Sequence, residues 1–246
     1  LTFNATRFSG YGILGEGDCP GGMSGENTSE SPCQVTSWTD LNATRDCLSC
    51  YYSLSNNLTA DDGDYLGLGD DWDPIGTGGG ASSFSGSFDG NGYWIEDLNI
   101  SKAGVDNVGL FGYVSGEISN LNVQVENILG GWHVGGLVGV SLGIINNCSV
   151  TIAGTISAVD YDAGGLMGVN SGTTSNCSVT MSGTISANER AGALAGFNSN
   201  HITNSSATVS GTISANINAG GLLGWNEAGS ITASNTYVYE SATINA

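Results

Sequence analysis

Gly136-Leu137-Val138-Gly139, then Asn147-Cys148-Ser149-Val150-Thr151-Ile152, then Thr155-Ile156-Ser157-Ala158: this run decides the fold, because it returns. Its second appearance reads Gly165-Leu166-Met167-Gly168, Asn176-Cys177-Ser178-Val179-Thr180-Met181 and Thr184-Ile185-Ser186-Ala187. Working outward, the small-Leu-x-Gly tetrad also stands at Gly109-Leu110-Phe111-Gly112, Ala193-Leu194-Ala195-Gly196 and Gly221-Leu222-Leu223-Gly224, giving steps of 27, 29, 28 and 28 residues. An asparagine column (Asn120, Asn147, Asn176, Asn204) and an isoleucine column (Ile128, Ile156, Ile185, Ile213) keep the same step. Within a coil the apolar period is two, as in Leu121, Val123, Val125 or Cys177, Val179, Met181. Alternation marks strands with one buried face, and the 3.6-residue period of a helix is absent. Units of this kind repeated at a fixed step stack on one another. The sequence therefore implies an all-β fold, a parallel β-solenoid with about 28 residues per coil.

Stacking gives each column a task. Equivalent side chains lie about 4.8 Å apart, so the Leu and Ile columns fill the core and the glycines permit the corners. The Asn column is expected to hydrogen-bond turn backbones as a ladder. Cys148 and Cys177 fall at equivalent positions in adjacent coils, within disulfide reach. Both a Cys148–Cys177 bridge and a pair of small buried thiols fit.

The runs Gly135-Gly136-Leu137-Val138-Gly139-Val140, Gly164-Gly165-Leu166-Met167-Gly168-Val169-Asn170 and Gly220-Gly221-Leu222-Leu223-Gly224-Trp225-Asn226 resemble the GLUG motif. Upstream, Trp72-Asp73-Pro74-Ile75-Gly76 and Phe84-Ser85-Gly86-Ser87-Phe88-Asp89-Gly90-Asn91-Gly92 are similar to the lead-in of such solenoids. The resemblance covers residues 36–246, with lead-in coils over 36–107 and GLUG repeats over 108–246. It implies an extracellular surface protein of the kind found among filamentous adhesins and bacterial immunoglobulin-A-cleaving proteases. It is specific for fold, because the motif is structural. Ala193 and Ala195 dilute the fourth tetrad, Ser205 replaces the cysteine, and the last coil runs long before Ile244. Residues 1–35 lie outside it, as a loop-rich, disulfide-bearing N-terminal extension.

Composition narrows the setting. Four Lys plus Arg against 23 Asp plus Glu give a net charge of −19, a surface that repels nucleic acid and anionic membranes. No run approaches the roughly 18 apolar residues of a membrane helix. Six cysteines, an even number, and eight Asn-x-Ser/Thr sequons favour an oxidising, extracellular compartment. The sequons are Asn4, Asn27, Asn42, Asn57, Asn99, Asn147, Asn176 and Asn204. The first five are expected to carry N-glycans in a eukaryotic source; the last three fall in or beside the Asn ladder, which competes for them. Cys19, Cys33, Cys47 and Cys50 are expected to form two disulfides, with three connectivities open. A chain that starts at Leu1 without Met suits a mature protein whose signal has been removed.

Little in the sequence points to chemistry. His133 and His201 sit at different repeat phases, so no paired metal site is expected. The acidic stretch Asp61, Asp62, Asp64, Asp70, Asp71, Asp73 is the one place for calcium, without EF-hand spacing; a solvated acidic loop is the plainer reading. No constellation of carboxylates and bases suggests a polysaccharide lyase or hydrolase, and no catalytic residue or other cofactor is expected. Columns of threonine (Thr151, Thr180, Thr208; Thr155, Thr184, Thr212) would suit a wet β-face, attached glycans or an ice-binding plane. The favoured expectation is a secreted structural or adhesive glycoprotein whose partner is a second copy of itself, joined head to tail into a filament. Leu1, Phe3 and Phe8 of the leader would add a strand to the free last coil of a neighbour. A carbohydrate- or host-binding surface module is the alternative.

Overall fold

The computed structural model describes residues 18–68, 71–232, 235–238 and 242–246. They form a parallel β-solenoid of about five turns. Each full coil carries strands at four positions, the last continuous in some coils and split in two in others. In the coil that starts at His133 these are His133–Gly135, Val138–Ser141, Ile144–Asn146 and Ser149–Ala158. Each pairs in parallel with its counterpart one coil on, at Asp162–Gly164, Met167–Asn170, Thr173–Ser175, and Ser178–Met181 followed by Thr184–Ala187. Repetition turns the four positions into four sheets around one core.

The columns read from the sequence are the columns of the fold. Leu110, Leu137, Leu166 and Leu194 are fully buried, and Leu222 packs on the same core while partly exposed. Their backbones extend the ladder through the corner: the Leu137 amide donates to the Leu166 carbonyl at 3.0 Å, Leu166 to Leu194 at 3.1 Å and Leu194 to Leu222 at 2.8 Å. Ile100, Ile128, Ile156, Ile185, Ile213 and Ile244 stand in continuous register. Full burial of one such side chain contributes about 1.5–3 kcal/mol, so the two columns are a main source of cohesion between coils. Gly154 lies where the long strand bends, at the register shift between Ile152 and Thr155. A Cβ there would run into the Glu126 carbonyl of the preceding coil, and Gly183 and Gly211 hold the same place further on.

Asn120, Asn147, Asn176 and Asn204 occupy the left-handed region, with φ between 50° and 55°. Among non-glycine residues Asn enters it with the least penalty. The ladder differs in detail from the expectation. Its amides bond other side chains: Asn147 Nδ2 donates to Asn120 Oδ1 at 2.7 Å and Asn176 Nδ2 to Asn146 Oδ1 at 2.9 Å. The coil step brings one amide within reach of the next, so side-chain partners replace backbone ones.

The solenoid begins ahead of residue 36. Cys33–Val35 pairs with Tyr51–Leu54, which pairs with Ser87–Asp89, which pairs with Glu117–Ser119 in the coil of the first small-Leu-x-Gly tetrad. Here the core is aromatic, with Trp38 against Trp72 at 5.7 Å and Phe84 against Phe111 at 5.1 Å between ring centroids. The disulfides are Cys19–Cys33 and Cys47–Cys50. The short helix Trp38–Ala43, capped by the Ser37 hydroxyl on the Asp40 amide at 3.1 Å, packs beside the first strand. The Cys19–Cys33 loop and this helix close that end of the solenoid.

The opposite end is different. Among the described residues, Asn218–Gly220 and Leu223–Asn226 are the last strands of their sheets. Leu222 and Leu223 are only partly buried. Trp225 is 45% exposed and Ile231 41%. Among the described residues, no further strand pairs beyond these two, and the core side chains of this coil are the least covered.

Candidate functional site

Among the described residues, chemically distinctive side chains meet at a corner to which the sequence reading assigned no site. His133, Asp162, Arg190 and Asn218 occupy one column, each opening a short strand, in Cα register through successive coils. Asp162 is fully buried. Its Oδ1 accepts from Arg190 Nε at 2.6 Å, and its Oδ2 lies 3.2 Å from Arg190 Nη2 and 2.9 Å from His133 Nδ1. The carboxylate is held from the coil before and the coil after. The Arg190 guanidinium also lies over the Phe197 ring, 4.5 Å from its centroid.

One residue earlier in each coil stand Trp132, Tyr161, Glu189 and Ile217. The Trp132 and Tyr161 rings pack with centroids 5.1 Å apart, and His133 lies 6.2 Å from Tyr161. Trp132 remains 47% exposed. Glu189 approaches Arg190 at 3.9 Å. An exposed indole thus stands beside an imidazole held by a buried carboxylate that also fixes the Arg190 guanidinium. Among the described residues, no serine, threonine or cysteine is hydrogen-bonded to His133. The signal for this corner was present in the sequence as opposite charges at one repeat phase. Comparing His133 with His201, which contacts Asn200 elsewhere, looked for identical residues and so missed complementary ones.

The acidic stretch is not gathered into a cation site. Asp62 accepts from the Thr59 amide at 2.7 Å, while Asp64 accepts from both the amide and the hydroxyl of Thr39 at 2.7 Å. Asp71 and Asp73 flank Lys102 at 2.9 and 3.0 Å. Asp61 is exposed, and Asp70 lies outside the described residues. Partial burial acts to raise the Asp64 and Asp71 carboxyls, but hydrogen bonds from Thr39 and from Ser101 and Lys102 hold both below their ordinary values. Among the described residues, no three His, Cys, Asp or Glu side chains converge on one point. These carboxylates are consumed as loop fasteners. Nearby, the Arg45 guanidinium lies 4.1 Å from the Trp72 ring centroid, and burial lowers its pKa to about 10.

Cys148 and Cys177 are stacked and buried, but as free thiols; the bridge allowed by their spacing is not formed. In a parallel in-register ladder the two Cα–Cβ bonds run side by side, and each sulfur instead faces carbonyls, that of Cys148 toward Asn146 at 3.3 Å and that of Cys177 toward Ser175 at 3.1 Å. The threonine columns are in register as expected, Thr151 with Thr180 and Thr208, Thr155 with Thr184 and Thr212.

The sequons divide by which amide atom is engaged. Asn27, Asn42 and Asn57 use Oδ1, toward the Tyr51 amide, Arg45 and the Trp94 amide. Asn147 and Asn176 use Nδ2, the atom a glycan would take, and Asn204 Nδ2 lies 3.5 Å from Asn176 Oδ1. Asn99 is half-buried within the strand Trp94–Ser101, and Asn4 lies outside the described residues. Expression in a glycosylating eukaryotic host should therefore give glycopeptides at Asn42 and Asn57 and none at Asn147 and Asn176. Glycopeptide mapping that finds full occupancy at the latter pair would break the ladder assignment.

No protein-family model matches the chain. Halomucin of Haloquadratum walsbyi is 34% identical over 144 residues, which is 55% of this chain and 2% of that protein. A protein of Evansella cellulosilytica provisionally named a Gly-rich membrane protein is 32% identical over 148 residues, 58% of this chain and 17% of its own length. The chain thus spans a small part of the curated relatives it matches. Among solved structures, a Bacteroides ovatus protein provisionally named an immunoglobulin A1 protease aligns over 88% of this chain and 86% of its own, at 17% identity and a TM-score of 0.47.

Proposed function

We propose that this chain is a structural or adhesive segment of a secreted or cell-surface protein, built from GLUG-type coils and joined end to end to further copies of itself. The observation that carries the reading is the inequality of the two ends. One is closed by a disulfide loop and the helix Trp38–Ala43. At the other, among the described residues, Leu222, Leu223 and Trp225 are incompletely covered and Asn218–Gly220 and Leu223–Asn226 are the last strands of their sheets. An unpaired parallel edge is a template for another strand, and a head-to-tail contact that does not close into a ring generates a filament. The leader of a neighbour begins with apolar residues at alternate positions, Leu1, Phe3 and Ala5, with Phe8 further on, a pattern that such an edge accepts. Two disulfides and similarity to halomucin and to a protein named for the membrane support the extracellular setting.

The test compares the full chain with a variant lacking residues 1–18, by size-exclusion chromatography and negative-stain electron microscopy. The full chain is expected to elongate and the truncated chain to stay a folded monomer. Filaments from the truncation would remove the leader from the contact. A full chain that stays monomeric across the concentration range would remove end-to-end assembly altogether.

A further inference from the structure

We infer that the corner formed by Trp132, His133, Tyr161 and Arg190 binds a neutral glycan chain, with the Trp132 indole as the stacking platform. This stands independently of the end-to-end reading, because the corner is on the side of the solenoid and not at either end.

Stability alone does not account for the charges. A buried ion pair generally gains little over a neutral replacement of similar shape, and this chain builds such a replacement elsewhere in the same coils. There Asn170 donates to Asn198 at 2.7 Å and Asn198 to Asn226 at 2.6 Å, a column without net charge whose first two members are buried. At the corner the equivalent column is His133, Asp162, Arg190, ending in the neutral Asn218. What the charges achieve is orientation. Asp162 engages His133 through Nδ1 and Arg190 through Nε and Nη2. Imidazole Nε2 and guanidinium Nη1 make no hydrogen bond among the described residues. Because the Asp162 carboxylate accepts from Nδ1–H, the neutral imidazole presents Nε2 as a fixed acceptor, while guanidinium Nη1 is a fixed donor. The imidazole stands beside an indole that is half open to solvent and backed by Tyr161.

The ligand class follows from shape and charge. A pyranose ring has an apolar C–H face that packs on an aromatic ring and a rim of hydroxyls that both donate and accept. The donor here is Arg190; the acceptors are His133 Nε2, Glu189 and the exposed Asp160. Asp162, Glu189 and Asp160 outnumber Arg190, and the whole chain carries −19, so polyanionic chains are repelled. Polar groups already held in place lower the ordering cost of binding.

Affinity electrophoresis of the full chain through gels containing hydroxyethylcellulose or galactomannan, with polygalacturonate as the anionic comparison, tests this directly. At least one neutral polymer is expected to retard the protein. Trp132→Ala should weaken that binding about tenfold, the value of one well-placed ring contact. Trp132→Phe should retain most of it, and Trp225→Ala, which removes the other strongly exposed indole, should leave it unchanged. Thermal melts by circular dichroism check that each variant folds. No retardation by either neutral polymer, equal retardation by polygalacturonate, or an equal loss in Trp225→Ala would each overturn the assignment.

Discussion

Leu166→Ala is expected to lower the unfolding free energy by about 3 kcal/mol, in the range measured for buried leucines whose surroundings relax only partly. Leu166 is fully buried in the middle of its column, with Leu137 in the coil before and Leu194 in the coil after. In a solenoid each coil rests only on its neighbours, so a cavity at Leu166 weakens two interfaces at once. Leu222→Ala is the informative contrast. That side chain is already partly exposed at the open end, and its loss should cost under about 1 kcal/mol in the monomer. Urea titration followed by circular dichroism measures both. Equal costs would mean that the last coil is covered in solution and that the end is not open.

Arg190→Ala is the second large effect, about 3 kcal/mol. The variant removes the two guanidinium contacts from a carboxylate with no solvent exposure and leaves His133 as its remaining side-chain partner. Arg190 itself is 21% exposed, so the cost arises from the stranded Asp162 and not from the loss of a surface charge. Adding Asp162→Ala to Arg190→Ala should therefore recover part of the stability, because the uncompensated charge disappears with its side chain. Additive losses in this double-mutant cycle would show that Asp162 and Arg190 act separately.

The architecture was legible because the solenoid repeats chemical identity. Leu110 to Leu222 and Ile128 to Ile213 recur since the same cavity recurs at every coil, and the αL corners admit Asn for one backbone reason. Before residue 108 the repeat is hard to read. Trp38, Tyr52, Trp72, Phe84 and Phe88 fill the core there with large rings at irregular spacing, and Cys33–Val35 shows no tetrad although it is the first strand. The site was less visible than the fold. A ladder of His133, Asp162 and Arg190 is held together by difference, each member supplying what its neighbour lacks, so no column of like residues announces it. The acidic stretch misled in the opposite way: clustering along the chain looked like a cation loop, whereas Thr39, Thr59 and Lys102 draw its carboxylates to separate places in space.

The hydrogen bonds between coils all point along the long axis of the solenoid, and one end is latched while the other is not. Under tension applied between the two ends, that geometry loads the coil interfaces in series, and the least covered coil, around Leu222, is the first to yield. Each coil of about 28 residues set free would add up to about 95 Å of slack chain in place of the roughly 4.8 Å it had occupied. Release would proceed in near-equal steps toward the Cys19–Cys33 latch. Under such tension the chain would yield coil by coil where a single cooperative domain would give way at once.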